Sequence, residues 1–161
     1  MTPHRAENPY DWGALLALVR HAFAGMEGRI DPPSSMHALT EAAIAEQAAA
    51  GEVWVIGMPP VACMFLTPRP GRLYIGKLSV AEGHRGRGLA RGLIDLAAAR
   101  AQAMGLTLLE LQTRVELVEN HAVFAAMGFT KVGETAHPGF ARPTSLTFQR
   151  AVAPAAPAPP P

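Results

Sequence analysis

Between residues 80 and 100 the chain reads VAEGHRGRGLARGLIDLAAAR, with Gly86 and Gly88 set among Arg85, Arg87 and Arg91. Glycine reaches backbone conformations closed to other residues and lets a ligand come close to the main chain. The apolar spacing of Leu89, Leu93, Leu96 and Ala97 that follows is helical, and the first N–H groups of a helix have no acceptor inside it. Free donors, the positive end of a helix dipole and clustered guanidinium groups together suit an anion such as phosphate. The motif lacks the Lys-Ser/Thr pair of a P-loop, and no glycine fingerprint follows the first strand as in dinucleotide-binding folds. Those nucleotide-binding folds are therefore set aside.

The elements that must position this junction can be read from periodicity. Trp12, Leu15, Leu16, Val19 and Phe23 form a helical stripe, with Asp11 placed to cap it. Pro32 and Pro33 interrupt the chain next, and Ser34 or Ser35 is expected to cap an alanine-rich second helix ending near Gly51. EVWVIG and VACMFLT, joined through MPP, read as a hairpin, and RLYIGKLSV as a long strand that enters the glycine–arginine motif. In the helix beyond it, Arg91, Asp95 and Gln102 lie opposite the apolar side, whereas Arg100 falls on the apolar arc. Either Arg100 snorkels or the helix ends early. After a cap at Gly105 come a strand LTLLEL, a short helix in ENHAVFAAMGF stopped at Gly128, and strands TKVGET and TSLTFQR. In the last strand Thr144, Leu146 and Phe148 alternate with Ser145, Thr147 and Gln149, which predicts one buried face. The order is α/β, a mixed central sheet flanked by helices in one domain over residues 1–150. Residues 151–161, AVAPAAPAPPP, lack charge and any large side chain beyond Val152, and are expected to be a disordered tail.

Composition narrows the function further. The chain has 161 residues, with 14 Lys+Arg against 13 Asp+Glu, so there is no broad basic face for nucleic acid. The opening MTPHRAENPYDW has no apolar signal segment and no apolar run is long enough to span a bilayer, so a cytoplasmic protein without a membrane partner is expected. Cys63, the single cysteine, lies in an apolar run and reads as a buried, inert thiol. No metal site is proposed, and a homodimer stays open.

The element order and three local patterns resemble the GNAT acetyltransferase superfamily across residues 10–150. Its signature of Arg or Gln, two residues, Gly, one residue, then Gly or Ala, directly after the fourth strand, is met by Arg85, Gly88 and Ala90. The resemblance implies that N–H groups of Arg85, Gly86, Arg87, Gly88, Leu89 and Ala90 bind the pyrophosphate of acetyl-CoA. Asn120, opening a helix that closes on Gly128 and Phe129, matches the pattern that lies along the pantetheine arm in the family; it could equally cap its helix. KLSV matches a strand that splays from the next one, which would leave backbone groups of Leu78 and Val80, flanking Ser79, for the thioester end.

By the same resemblance an amine attacks the acetyl carbonyl directly, a backbone N–H such as that of Val80 stabilises the oxyanion, and a tyrosine four residues before the GF glycine protonates the thiolate. Phe124 occupies that position, and it can pack against the cofactor but cannot donate a proton. Glu119, His121 and Ser79 are candidate replacements; His84 reads as a solvated loop residue. For the acceptor, Glu27 and Asp31 could attract an ammonium and Arg29 could hold a carboxylate or phosphate, the plain alternative being a solvated linker. His137, Phe140 and Arg142 precede the last strand, where family members close over the acceptor, and His137 is the candidate base. The expected function is acetyl-CoA dependent N-acetylation of a primary amine, of a small molecule before a protein. The alternative is a GNAT-fold module that binds acyl-CoA without turnover.

Overall fold

The computed structural model describes residues 1–154. Asp11 accepts a hydrogen bond from the Ala14 N–H and opens α1 (Trp12–Phe23), as the stripe predicts. The second cap differs from expectation. Ser34 accepts from Met36 N–H and closes only a single 3-10 turn over Ser35–Ala38; α2 (Glu41–Ala50) starts later, where Thr40 accepts from Ala43 N–H. Ser34 was therefore a real cap signal for a shorter element.

Seven strands form one sheet in the order β1-β2-β3-β4-β5-β7-β6. They are β1 (His4–Arg5), which the sequence pattern had not revealed, β2 (Glu52–Ile56), β3 (Ala62–Arg69), β4 (Arg72–Val80), β5 (Leu108–Arg114), β6 (Thr130–Thr135) and β7 (Ser145–Ala151). Only β4 and β5 pair in parallel, with α3 (Leu89–Ala103) as their crossover; every other neighbouring pair is antiparallel. The fourth helix, α4 (Val118–Ala126), connects β5 to β6. One face of the sheet is covered by α1 and α2, whose Leu15, Val19 and Ile44 pack with Val53 and Val55 of β2, and the other by α3 through Leu93, Ile94, Ala97 and Ala101. Full burial of a leucine or isoleucine contributes about 1.5–3 kcal/mol, so Leu93 and Ile94 together anchor α3 to the sheet.

Three further expectations need correction. Helix α3 runs past Arg100, whose guanidinium neither snorkels nor ends the helix but reaches Glu52: Nε donates to Oε1 at 2.9 Å and Nη2 to Oε2 at 2.5 Å. In β7 the alternation is blurred, with Ser145 and Phe148 buried and Leu146 only half-buried, because this strand lies between β5 and β6 and its start borders a cavity. Residue 150 is also too early a boundary. Ala151 belongs to β7, Val152 is buried with its N–H on the Thr107 carbonyl, and Gln102 Nε2 donates to the carbonyls of Ala153 and Pro154. The remainder of the expected tail, 155–161, lies outside the described residues.

Candidate active site

At the start of α3, Gly86 and Gly88 both have φ of +76°. A Cβ at either would meet nothing within 4 Å, so glycine is required here by the left-handed backbone and not by packing. Gly88 is the helix cap and offers no side chain; the first helical bond is Gly92 N–H to the Gly88 carbonyl, at 3.0 Å. The N–H groups of Leu89, Ala90 and Arg91 thus precede the first available acceptor. Arg85 departs from the sequence expectation, since its N–H donates to the Glu82 carbonyl and its Nε to the Val80 carbonyl at 3.3 Å. Its main chain is spent on shaping the loop, leaving Gly86 to Ala90 for an anion. Arg87 and Arg91 are exposed and form no ion pair among the described residues.

The loop stands at the end of a split in the sheet. Parallel pairing of β4 with β5 is confined to Arg72–Tyr74 against Leu108–Glu110, after which both strands continue without pairing to each other. A bulge accompanies the separation: Lys77 and Leu78 share the space opposite Met64, between the pairs Cys63–Ser79 and Phe65–Gly76, and Lys77 has φ of +49°. Ala81 N–H bonds the Val61 carbonyl on the β3 side, so by alternation the Val80 main chain turns toward β5, where Arg85 meets its carbonyl. The Val80 N–H accordingly faces the split. Ser79 is buried and its hydroxyl donates to the Lys77 carbonyl, which removes it as a proton donor to the site. Cys63 is also buried, and burial pushes its thiol up to about 12.

Two cavities border the split. An outer one of about 590 Å³ is lined by the end of α1, Leu78, Ser79, Val80, Arg85 and Asn120, and an inner one of about 310 Å³ by Tyr74, Lys77, Thr113, Arg114, Phe124 and His137. They adjoin at Phe23, Met26, Leu78, Leu117 and Asn120. Asn120 is not the cap of α4, which is Leu117; it sits within the first turn and its Nδ2 donates to Thr113 Oγ1 at 3.3 Å. Phe124 packs against Phe129 and Phe148 while lining the inner cavity.

The linker after α1 is strapped across to β5 and α4. Arg29 and Glu119 form a two-pronged pair at 2.6 and 2.9 Å, Asp31 N–H donates to Glu116 Oε2, and Arg114 donates to the carbonyls of Pro32 and Pro33 at 2.7 and 3.1 Å. Asp31 also faces Arg142 at 3.5 Å, and Glu27 faces His37 at 2.8 Å. These contacts overturn several expected roles. Hydrogen bonding from Arg29 holds the Glu119 carboxyl down at about 2, so Glu119 stays ionised and is no proton donor. Arg29 has its fork occupied, though it borders the outer cavity; Asp31 and Arg142 pair with each other, Glu27 pairs with His37 within the linker, and none of these three lines either cavity at the split. Phe140 lines neither cavity; its ring lies under Arg142. His121 also turns away: its Nε2 meets the Arg114 carbonyl at 3.1 Å and its ring stands by Phe148.

His137 alone among the expected acid–base residues lines the inner cavity, and a residue the sequence had not singled out orients it. Thr144, fully buried, donates its hydroxyl proton to the Thr135 carbonyl at 3.3 Å. It accepts from His137 N–H at 2.9 Å and pairs with His137 Nδ1. With its one proton on the Thr135 carbonyl, the Thr144 hydroxyl can only accept from His137, an arrangement in which Nδ1 carries the proton and Nε2 keeps its lone pair. Two other residues of the inner cavity, Tyr74 and Lys77, were read only as parts of a strand. Burial raises the Tyr74 phenol against the opposing pull of nearby Arg69, and burial lowers the Lys77 ammonium.

The comparisons with known proteins identify the family to which this fold belongs. The acetyltransferase (GNAT) family model matches residues 15–129, and the chain belongs to this family. Its members are acyltransferases that typically use acetyl-CoA. No curated sequence matches the chain. Among solved structures, the ribosomal-protein-S18-alanine N-acetyltransferase of Escherichia coli is similar at 14% identity and TM-score 0.70, covering 96% of each chain. An acetyltransferase of Streptococcus agalactiae aligns at 19% identity and TM-score 0.72, over 93% of this chain and 97% of its own. The IAA acetyltransferase of Bacillus cereus aligns at 20% identity and TM-score 0.63, over 93% and 98%. These likenesses show the GNAT fold. No helix among the described residues is long and apolar enough to cross a membrane.

Proposed function

We propose that the protein transfers the acetyl group of acetyl-CoA to a primary amine of a small molecule by direct attack. The observation that carries this is the split between β4 and β5, which ends at the N–H groups of Gly86 to Ala90 and has the Val80 N–H turned into it. The residues fit the cosubstrate: unhindered glycines in the left-handed conformation, exposed Arg87 and Arg91 for a pyrophosphate, and an outer cavity of about 590 Å³ running past Asn120. In this reading His137 Nε2 takes the proton that the acceptor nitrogen loses, and Val80 N–H meets the negative charge developing on the thioester oxygen. The leaving thiolate takes its proton from water, since Glu119, His121 and Ser79 are engaged elsewhere, Phe124 has none to give, and Tyr74 sits where β4 and β5 are still paired, six residues along the strand from Val80. An ordinary thiol pKa of about 8.5 makes that route slow but workable near neutral pH. The strap across the acceptor side, anchored at Arg29 and Arg114, favours a small acceptor over a protein segment.

Phe124 also supports a second reading, a domain that binds acyl-CoA without turning it over. Release of free thiol in the presence of a panel of primary amines separates the two. Amine-dependent release supports the transferase, whereas acetyl-CoA binding without release from any amine leaves only the binding module.

A further inference from the structure

The inner cavity has an uncompensated positive charge. Lys77 stands at the bulge of β4, half-buried, with its ammonium 5.9 Å from the Phe23 ring centre and no ion pair or hydrogen bond among the described residues. Its left-handed backbone, rare for a residue with a side chain, is the kind of local strain that persists where it aims a group into a site. Arg114 adds a second cation at the same cavity, though both its terminal nitrogens already serve Pro32 and Pro33. No Asp or Glu is among the residues lining this cavity. The acidic residues of the nearby linker are paired with other partners, Glu27 with His37, Asp31 with Arg142. A half-buried ammonium without a counter-ion is costly unless a ligand supplies one.

We infer that the acceptor carries a carboxylate, bound by Lys77, on the same small molecule as the amine that His137 deprotonates: an amino carboxylate. This rests on the acetyltransferase reading. One free cation matches one carboxylate better than a phosphate dianion. A volume of about 310 Å³ lies at the small end of ligand pockets, roughly 300–1,000 Å³, which suits a compact molecule. Phe23, Met26, Leu111 and Phe124 line the same cavity and give the rest of the acceptor an apolar surround.

The test uses the full chain saturated with coenzyme A and has two arms. In the binding arm, N-acetyl-L-leucine and N-acetyl-L-leucinamide, nearly the same in shape but charged and neutral, are titrated calorimetrically. The acid should bind about 10- to 100-fold more tightly, the range for a charge-assisted hydrogen bond, and the ratio should collapse toward one in Lys77→Met and in Lys77→Gln while largely surviving in Lys77→Arg. Equal binding of acid and amide to the parent protein, or an unchanged ratio in both Lys77→Met and Lys77→Gln, would overturn the carboxylate site. In the turnover arm, leucine and leucinamide are compared by thiol release. If the amide is the better acceptor the carboxylate inference is wrong while the transferase reading stands. If Lys77→Met lowers kcat for both equally, Lys77 acts in catalysis and the inference is again wrong. If neither acid, amide nor any other amine releases thiol, the transferase reading fails, and the binding arm still decides whether Lys77 recognises a carboxylate.

Discussion

Replacing Thr144 with valine preserves the shape of a fully buried side chain and deletes one hydroxyl. That hydroxyl donates to the Thr135 carbonyl and is the acceptor for both His137 N–H and His137 Nδ1. The Thr135 carbonyl keeps a partner, because the Thr144 N–H also reaches it at 2.8 Å, so the donors left without an acceptor are the two of His137. Each unmade bond costs about 1–3 kcal/mol when buried, and His137 is half-exposed, so the total loss of stability should be about 1–2 kcal/mol. The catalytic effect should be larger than that suggests. General base catalysis contributes about 10²–10⁴-fold, and a histidine without a fixed tautomer should lose at least about tenfold of it. The assay is thiol release at saturating acetyl-CoA, read as kcat against KM, with urea unfolding of the same samples. Thr144→Val should lower kcat with little change in KM for acetyl-CoA, His137→Ala should lower it further, and Thr144→Ser should restore it. If Thr144→Val loses stability yet keeps kcat within about twofold, Thr144 is only structural, and if His137→Ala also keeps kcat, His137 is not the base.

The remaining predictions concern the acid, the strap and the frame. Phe124→Tyr places a phenol where the inner cavity has none on α4 and should raise kcat if protonation of the thiolate limits the rate; an unchanged or lower kcat would show that it does not. Glu119 should keep the carboxyl carbon shift of an ionised group through the ordinary range near 4.5 and titrate only around 2, so the clasp adds stability above that range and loses it as pH falls toward 2. In Arg29→Gln the midpoint should return toward 4.5, and a midpoint left near 2 would show that Arg29 is not the cause. Arg100→Ala should cost about 2 kcal/mol by denaturant midpoint, because it strands the Glu52 carboxylate with only Trp54 and a distant Arg5; a loss under about 0.5 kcal/mol would contradict the pairing.

How far these features were legible depends on the range over which their causes act. The glycine turn at the start of α3 was readable because its signals are local: two glycines that must be left-handed, then a helical stripe. The strand before it was readable as a strand, but the alternation that identifies strands cannot announce a bulge, so the aim of Lys77 was hidden. Arg100 looked like a defect in an apolar arc only because its partner, Glu52, lies 48 residues away. Glu119 and Arg29 were assigned separate roles for the same reason, being 90 residues apart in sequence and bound to each other in space. Ser34 against Thr40 was a contest between two genuine caps in one short segment, which only the intervening 3-10 turn resolves. Thr144 was legible only as part of the buried face of the last strand; its hold on His137 was not, since it comes from a loop that folds back over seven residues onto it.

The central claim is that the loop from Gly86 to Ala90 holds the pyrophosphate of acetyl-CoA. Calorimetric titration of the parent protein and of Gly88→Asp with acetyl-CoA tests it most directly, because aspartate tolerates the left-handed backbone better than most residues and sets a negative charge at the anion site. Binding to the parent should be lost or weakened at least about tenfold in the variant, which should unfold a few degrees lower because of the strained backbone but remain folded at the assay temperature. Equal affinity of the two proteins, or no binding by the parent, would contradict the central claim.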